Sequence, residues 1–264
     1  MTKKIAIIGG GNLGSAIAEG LLKSKFCRPA DIIITKRNIE TLHELAASGV
    51  KVSSDNCESV RAAEIVILAV KPYQVAEVIG GVKNELTSKH TLVSVVTGVF
   101  IKDIEASIPK KLPVFRAMPN TAIAIQQSMT CLSFTNAGTA QVSFIKKLFS
   151  VLGKVAIIDE KLMDAATVLG ACGTAYAMRY IRANIQGGIE IGFDAVTASL
   201  IAAQTVKGAA ELLLEKNTHP EQEIDKVTTP KGCTIAGLNE MEHQGFSSSI
   251  IKGIATSYNK IVKG

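Results

Sequence analysis

Residues 5–22 read IAIIGGGNLGSAIAEGLL. A run of β-favouring residues ends in three glycines, and the chain resumes as an amphipathic stretch with Leu13, Ile17 and Leu21 on one face. Few local patterns restrict a fold this tightly. A buried parallel strand must hand over to a helix that packs back against it, and the glycines let that reversal happen within a few residues. The spacing Gly9-x-Gly11-x-x-Gly14 assigns each glycine a task. The first permits the tight turn, the second lets a pyrophosphate approach the backbone, and the third lets the helix pack onto its strand. Asn12 and Leu13 open that helix, whose free N–H groups face the phosphates.

The pattern continues as alternating strand-like and helix-like segments over the first 160 or so residues. Short β-rich runs lie at 5–9, 31–35, 64–70, 91–96 and 113–118, with helical stretches such as ETLHELAAS and YQVAEVIGGVKNEL between them. The runs are apolar throughout instead of alternating, as expected when helices cover both faces of a parallel sheet. The βαβα order predicts an α/β fold with an N-terminal doubly wound, Rossmann-type sheet. Two further strands are expected at 128–135 and 154–159, bracketing a helix near 138–152. From Glu160 onward no strand pattern remains. Helical periodicity runs through 161–215, a polar break falls at 215–222, and helices resume to the end. Ala, Gly, Ser and Thr crowd 165–210, so these helices can approach closely. The expected division is a dinucleotide-binding domain at 1–160 and an all-α dimerisation domain at 161–264, burying surface against a partner subunit in a homo-oligomer of at least two copies.

Composition excludes several classes. The longest uncharged run, 117–145, has the length of a membrane span, but Pro119, Asn120, Gln126, Gln127 and Asn136 make it costly in hydrocarbon. Near the start there is neither an apolar signal core nor a small-residue cleavage site, so a soluble, cytoplasmic protein with no membrane partner is expected. The five cysteines are scattered without a C-x-x-C and the four histidines are isolated, which argues for reduced thiols and no metal site. The net charge of +6 is spread along the chain without a recognition helix, which favours an anionic small molecule over nucleic acid.

The end of the second strand distinguishes the dinucleotides. An acid there would hold a ribose 2′-hydroxyl; this chain has Thr35-Lys36-Arg37-Asn38 instead. A hydroxyl and two cations can hold a 2′-phosphate that a carboxylate would repel, so NADPH is expected, with NADH possible but weaker. Asn56 is assigned to the same cofactor set. Val70-Lys71-Pro72 stands at the carboxyl edge of a central strand, where ligands sit in open sheets. Lys71 there reads either as a cofactor contact or as a strand end with a snorkelling lysine. Asn120-Thr121, closing the strand that carries Arg116, reads either as a partner for a nicotinamide carboxamide or as an Asn-Thr turn.

Taken together, IGGGNLGSAIAEGLL, AVKP, RAMPNT, GACGTAYA (170–177), NIQGGIEIG (184–192) and DKVTTPKGCTIAGLNEME (225–242) resemble the pyrroline-5-carboxylate reductases over essentially the whole chain. The last stretch is similar to the family signature, a Val-Ser-Ser-Pro-Gly-Gly-x-Thr-like run followed by a helix. Lys231 stands where the family commonly has the first of those glycines. Thr174 stands where it commonly has proline. The resemblance implies reduction of a small cyclic imine carrying a carboxylate, the last step of proline biosynthesis, by hydride from NADPH. It also implies Thr234 as the candidate catalytic proton donor.

The residues carry that chemistry in their own terms. Thr229-Pro230 reads as a helix N-cap followed by proline at the first helical position. Backbone N–H groups and hydroxyls around Thr228, Thr229, Gly232, Cys233 and Thr234 could then grip a carboxylate without an arginine; a plain capped helix–helix turn is the other reading. A hydroxyacid dehydrogenase of similar plan relies on a lysine in the first helix of the second domain, and none occurs between Gly170 and Lys207. A reductase of another cyclic imine and a non-catalytic NADPH sensor are the remaining alternatives.

Overall fold

The computed structural model describes residues 3–108 and 111–263. Contacts divide the chain into two compact units, Met1–Ala171 and Cys172–Gly264. The first is organised on an eight-stranded sheet of β1 (Ile5–Ile8), β2 (Ile32–Thr35), β3 (Lys51–Ser53), β4 (Ile65–Leu68), β5 (Thr91–Ser94), β6 (Val114–Met118), β7 (Ser128–Thr135) and β8 (Gly153–Ile157). Their spatial order is β3-β2-β1-β4-β5-β6-β7-β8. Helices α1 (Asn12–Lys23), α2 (His43–Ala47), α3 (Asn56–Arg61), α4 (Val75–Val82), α5 (Ile101–Ser107) and α6 (Thr139–Ser150) form the crossovers.

The uninterrupted apolar strands are explained by burial on both faces. Ile5 and Ile7 of β1 join one hydrophobic cluster with Ile65 and Ile67 of β4. Ala6 and Ile8 join the opposite one with Val66 and Leu68. Successive side chains point to opposite faces, so every position of these strands must be apolar.

Two features depart from the sequence expectations. β3 is an unexpected edge strand, only three residues of mixed polarity, paired in parallel with β2. And β7 runs antiparallel to β6, whereas β8 returns parallel to β7. The β6–β7 connection, residues 119–127, contains only a 3₁₀ turn at Thr121–Ile125. Such a connection is too short to carry the chain back to the starting end for parallel pairing, so it reverses.

Beyond β8 a 3₁₀ turn (Glu160–Leu162) leads to α7 (Met163–Ala166), and residues Thr167–Cys172 wind as a π-helix. The helical character thus begins at Glu160, while residues 160–171 belong by contact to the first unit. Met163 and Val168 are buried there, and an electrostatic tie adds to that packing. Arg116 on β6 is completely buried, and its Nη2 donates to Asp164 Oδ1 at 3.0 Å while Nη1 lies 3.6 Å from Glu160 Oε1. Glu160 Oε1 also accepts from the Ile101 N–H at 2.7 Å, tying the start of α5 to the same turn.

The second unit contains α8 (Gly173–Glu190), α9 (Ala195–Lys216), α10 (Pro220–Lys226), α11 (Cys233–His243) and α12 (Phe246–Lys263). α8 and α9 pack as a pair, and a Cβ on Gly188 would lie 3.2 Å from that of Ala198. Asp194 caps α9 by accepting from the Val196 and Thr197 N–H groups at 3.0 Å each, contacts that hold its carboxyl below the usual range. The polar break is real: α9 stops at Asn217, in left-handed conformation, and α10 starts on Pro220. Among the described residues of this unit, the buried apolar side chains are Ala198 and Ala202. No helix among the described residues is long and apolar enough to cross a membrane.

Candidate functional site

An open cleft of about 1420 Å³ runs along the carboxyl ends of β1, β2, β4, β5 and β6, with all of its lining residues in the first unit. At its centre lies the glycine turn. Gly9 has φ +113°, and a Cβ there would sit 2.5 Å from the Ala69 carbonyl oxygen at the end of β4. A Cβ on Gly14 would approach the Gly9 carbonyl oxygen to 2.0 Å, so α1 closes onto the turn only because that atom is missing. Gly14 accordingly lies behind the cleft wall rather than on it. At Gly11 the same construction meets open space within 4 Å, leaving a cradle that a side chain would fill. Gly11 also caps α1 with no side-chain hydrogen bond, so the first-turn N–H groups, beside Asn12 and Leu13, have no side-chain acceptor.

Thr35 anchors this turn: its carbonyl oxygen accepts from the Gly9 and Gly10 N–H groups, at 3.2 and 2.7 Å. The residue is almost wholly buried, so Lys36 and Arg37 present the charge at the rim. Asn56, the first residue of α3, lines the same end next to Asp55, whose side chain caps the helix by accepting from the Glu58 N–H at 3.0 Å. Val70, Lys71 and Pro72 line the wall beyond β4, where the Gln74 side chain accepts from the Lys71 N–H.

Asn120 and Thr121 lie at the far end. The Asn120 side chain is heavily engaged: Oδ1 accepts from the Ala122 N–H at 3.1 Å, and Nδ2 donates to the Gly170 carbonyl oxygen at 3.0 Å. It shapes the Asn-Thr turn and holds the π-helical segment, whose Ala171 also lines the cleft. Both sequence readings of this position were about a single task; the geometry gives Asn120 the turn and a tether together.

Sequence reasoning missed Glu77, Thr97 and Met118 in the lining. Thr97 and Met118 follow the rule that picked out Lys71, because they stand at the carboxyl ends of β5 and β6. Glu77, on α4, is 3.7 Å from the Arg37 guanidinium, and nothing in the sequence pairs residues so far apart.

In the second unit, the Thr229–Gly232 segment is a tight turn in which the Gly232 N–H donates to the Thr229 carbonyl at 2.9 Å. The expected cap at Thr229 is thereby displaced: α11 starts at Cys233 and is capped by Gly232, with Pro230 inside the preceding turn. A Cβ on Gly232 would meet Thr229 Oγ1 at 2.5 Å, so a side chain there would have to displace that hydroxyl. Lys231 takes φ +59°, a left-handed conformation in which glycine is at ease and lysine is strained. The Thr228 hydroxyl donates to the Ile224 carbonyl at 2.8 Å and so closes α10, which leaves it without a proton for a carboxylate. Cys233 and Thr234 occupy the first turn of α11, where no side chain caps the N–H groups. Among the described residues no group of three or more His, Cys, Asp or Glu could hold a metal ion.

A largely parallel sheet of this order, with a glycine turn under an open cleft at its carboxyl edge, places the chain in the dinucleotide-binding α/β class. Residues 160–263 match the family described as pyrroline-5-carboxylate reductase dimerisation, and residues 4–98 match NADP oxidoreductase, coenzyme F420-dependent. The chain is 49% identical over 97% of its length to pyrroline-5-carboxylate reductase 1 of Dictyostelium discoideum, of which it spans 49%. It is 43% identical to pyrroline-5-carboxylate reductase 2 of the same organism, covering 99% of this chain and 93% of that one. A pyrroline-5-carboxylate reductase structure from Coxiella burnetii superposes with a TM-score of 0.91 at 28% identity, covering 100% of this chain and 98% of that chain. The chain belongs to the pyrroline-5-carboxylate reductase family.

Proposed function

We propose that the chain reduces 1-pyrroline-5-carboxylate to L-proline with hydride from NADPH, NADH serving less well. The observation that carries this reading is the near full-length likeness to a reductase of that name, joined to a glycine-floored cleft with two cations at its ribose end. The cleft suits a dinucleotide because Gly11 leaves an open cradle over uncapped helix N–H groups. Gly9 shapes the turn, Gly14 lets α1 pack behind it, Asn12 and Leu13 supply the helix start, and Lys36 and Arg37, with Asn56, supply the charge and hydrogen bonding for a 2′-phosphate. Val70, Lys71, Pro72, Asn120 and Thr121 line the remaining length.

When bound, the cofactor supplies a hydride to the imine carbon. The protein orients the partners and provides for the proton that the nitrogen must gain. For the substrate carboxylate we assign the N–H groups at Gly232, Cys233 and Thr234, with Thr229 shaping their turn and Thr228 closing the preceding helix. Thr234 is assigned the proton transfer. A neutral hydroxyl is a weak acid, so its main contribution is to position the nitrogen.

The same reading makes the protein a cytoplasmic homo-oligomer assembled through 161–264. Ile191, Val196 and Leu200 are 78%, 80% and 71% exposed in a unit whose buried apolar residues are two alanines. Such a helical array gains a core by pairing with a second copy. The five cysteines are unpaired, as suits a reducing compartment.

The test is purified protein with NADPH and 1-pyrroline-5-carboxylate, followed at the nicotinamide absorbance. Oxidation dependent on the imine is expected. Cofactor binding without turnover would replace the reductase by a sensor, and turnover only with other imines would move the substrate.

A further inference from the structure

We infer that Glu77 sets how strongly the cleft discriminates between the two dinucleotides, by holding Arg37 when no 2′-phosphate is present. This rests on the reading that Lys36 and Arg37 face that phosphate. Glu77 Oε1 lies 3.7 Å from Arg37 Nη2, and both side chains line the cleft while staying 73% and 83% exposed. The other carboxylate at this end, Asp55, is occupied in capping α3. Glu77 is therefore the acid placed to neutralise the cation that a phosphate needs.

Two consequences follow from the charges alone. A phosphate entering the rim displaces Glu77 from Arg37 and then lies near a carboxylate of its own sign. A dinucleotide with a free 2′-hydroxyl leaves the pair intact and meets a rim whose Arg37 is already neutralised. Glu77 thus weakens the phosphorylated cofactor while leaving the unphosphorylated one tolerated, and the site is less selective than its two cations imply. Because both partners are well exposed, the effect is modest and sensitive to salt.

The experiment titrates the full-length protein with NADPH and with NADH, following nicotinamide fluorescence, for wild type, Glu77→Gln, Arg37→Ala and the Glu77→Gln/Arg37→Ala double variant. Glu77→Gln is expected to tighten NADPH about two- to fivefold at low salt, less at high salt, and so to raise the ratio of the NADH to the NADPH dissociation constant. In the Arg37→Ala background the same substitution is expected to change little, since the residue it acts through is gone. An unchanged ratio in Glu77→Gln, or the same gain in the absence of Arg37, overturns the proposal. Weaker NADH with unaltered NADPH would do so too, because Glu77 would then be an acceptor for the ribose hydroxyl. Lys36→Ala/Arg37→Ala tests the underlying reading separately: NADPH should weaken far more than NADH, and equal losses would remove the phosphate from this rim whatever Glu77 does.

Discussion

Replacing Asp164 by alanine should cost the first unit a large share of its stability. Arg116 is completely buried, with Asp164 at 3.0 Å, Glu160 at 3.6 Å and the Phe100 ring centred 4.8 Å from its guanidinium carbon. Its Nε and Nη1 make no hydrogen bond, so Asp164 supplies the close charged contact. Removing one partner of a buried pair leaves an uncompensated charge and typically costs about 3–5 kcal/mol. Glu160, 28% exposed and farther away, retains part of the compensation, which places the expected loss near the lower end, about 3 kcal/mol. In a unit of this size that corresponds to roughly 6–12 °C in melting temperature. Melting followed by far-ultraviolet circular dichroism or calorimetry reads it directly. The companion variant Arg116→Met/Asp164→Leu removes both charges and should melt nearer to wild type than Asp164→Ala. A drop below about 2 °C for Asp164→Ala, or a double variant that loses the sum of the two single losses, would refute the idea that a desolvated guanidinium depends on this carboxylate.

The remaining predictions concern a strained turn and a buried thiol. Lys231→Gly should stabilise the second unit by about 0.5–1 kcal/mol by relieving a left-handed lysine, whereas Lys231→Val should lose at least as much; a valine variant that melts with wild type would contradict the strain. Burial, with Asp31 adding a smaller push, raises the Cys27 thiol from 9.0 to about 11. Its folded value exceeds its unfolded one, so the stability it contributes is complete below pH 9 and is lost as pH rises from 9 towards 11. A plot of melting temperature against pH should therefore fall less steeply over that window in Cys27→Ala, and identical slopes would exclude the thiol as the cause.

The elements most legible in the sequence were those whose physics is local. Strands with both faces buried favour apolar residues throughout, so β1 and β4 appear as unbroken runs, and β2 and β5 carry Thr or Ser only at their ends. The three-residue Lys51–Ser53 strand has no such run, because an edge strand buries little and its pairing is decided by its neighbour β2. The reversal between β6 and β7 was invisible for a related reason: strand direction depends on what the connection can span. At the site, glycines announce themselves by spacing. The cap of α11 did not, since Thr229-Pro230 satisfies the helix-start rule locally, and the turn closed by the Gly232 N–H moves the start three residues on. Arg116 offered a signal that went unused, a lone cation within the apolar run VFRAM, which requires an acid from elsewhere. Its partners lie more than forty residues away, and only folding brings them together.

The strand order also bears on how the molecule stays out of trouble. An open sheet ends in two strands whose outer edges pair with no further strand of the sheet, a standing template for strand addition and aggregation. Here those ends are β3 and β8, of three and five residues. Each carries an exposed lysine, Lys51 and Lys154. A second chain adding to either edge would have to desolvate that ammonium for few backbone bonds in return. The wholly apolar strands at the centre of the fold, β1 and β4, are interior, where no foreign strand can reach them.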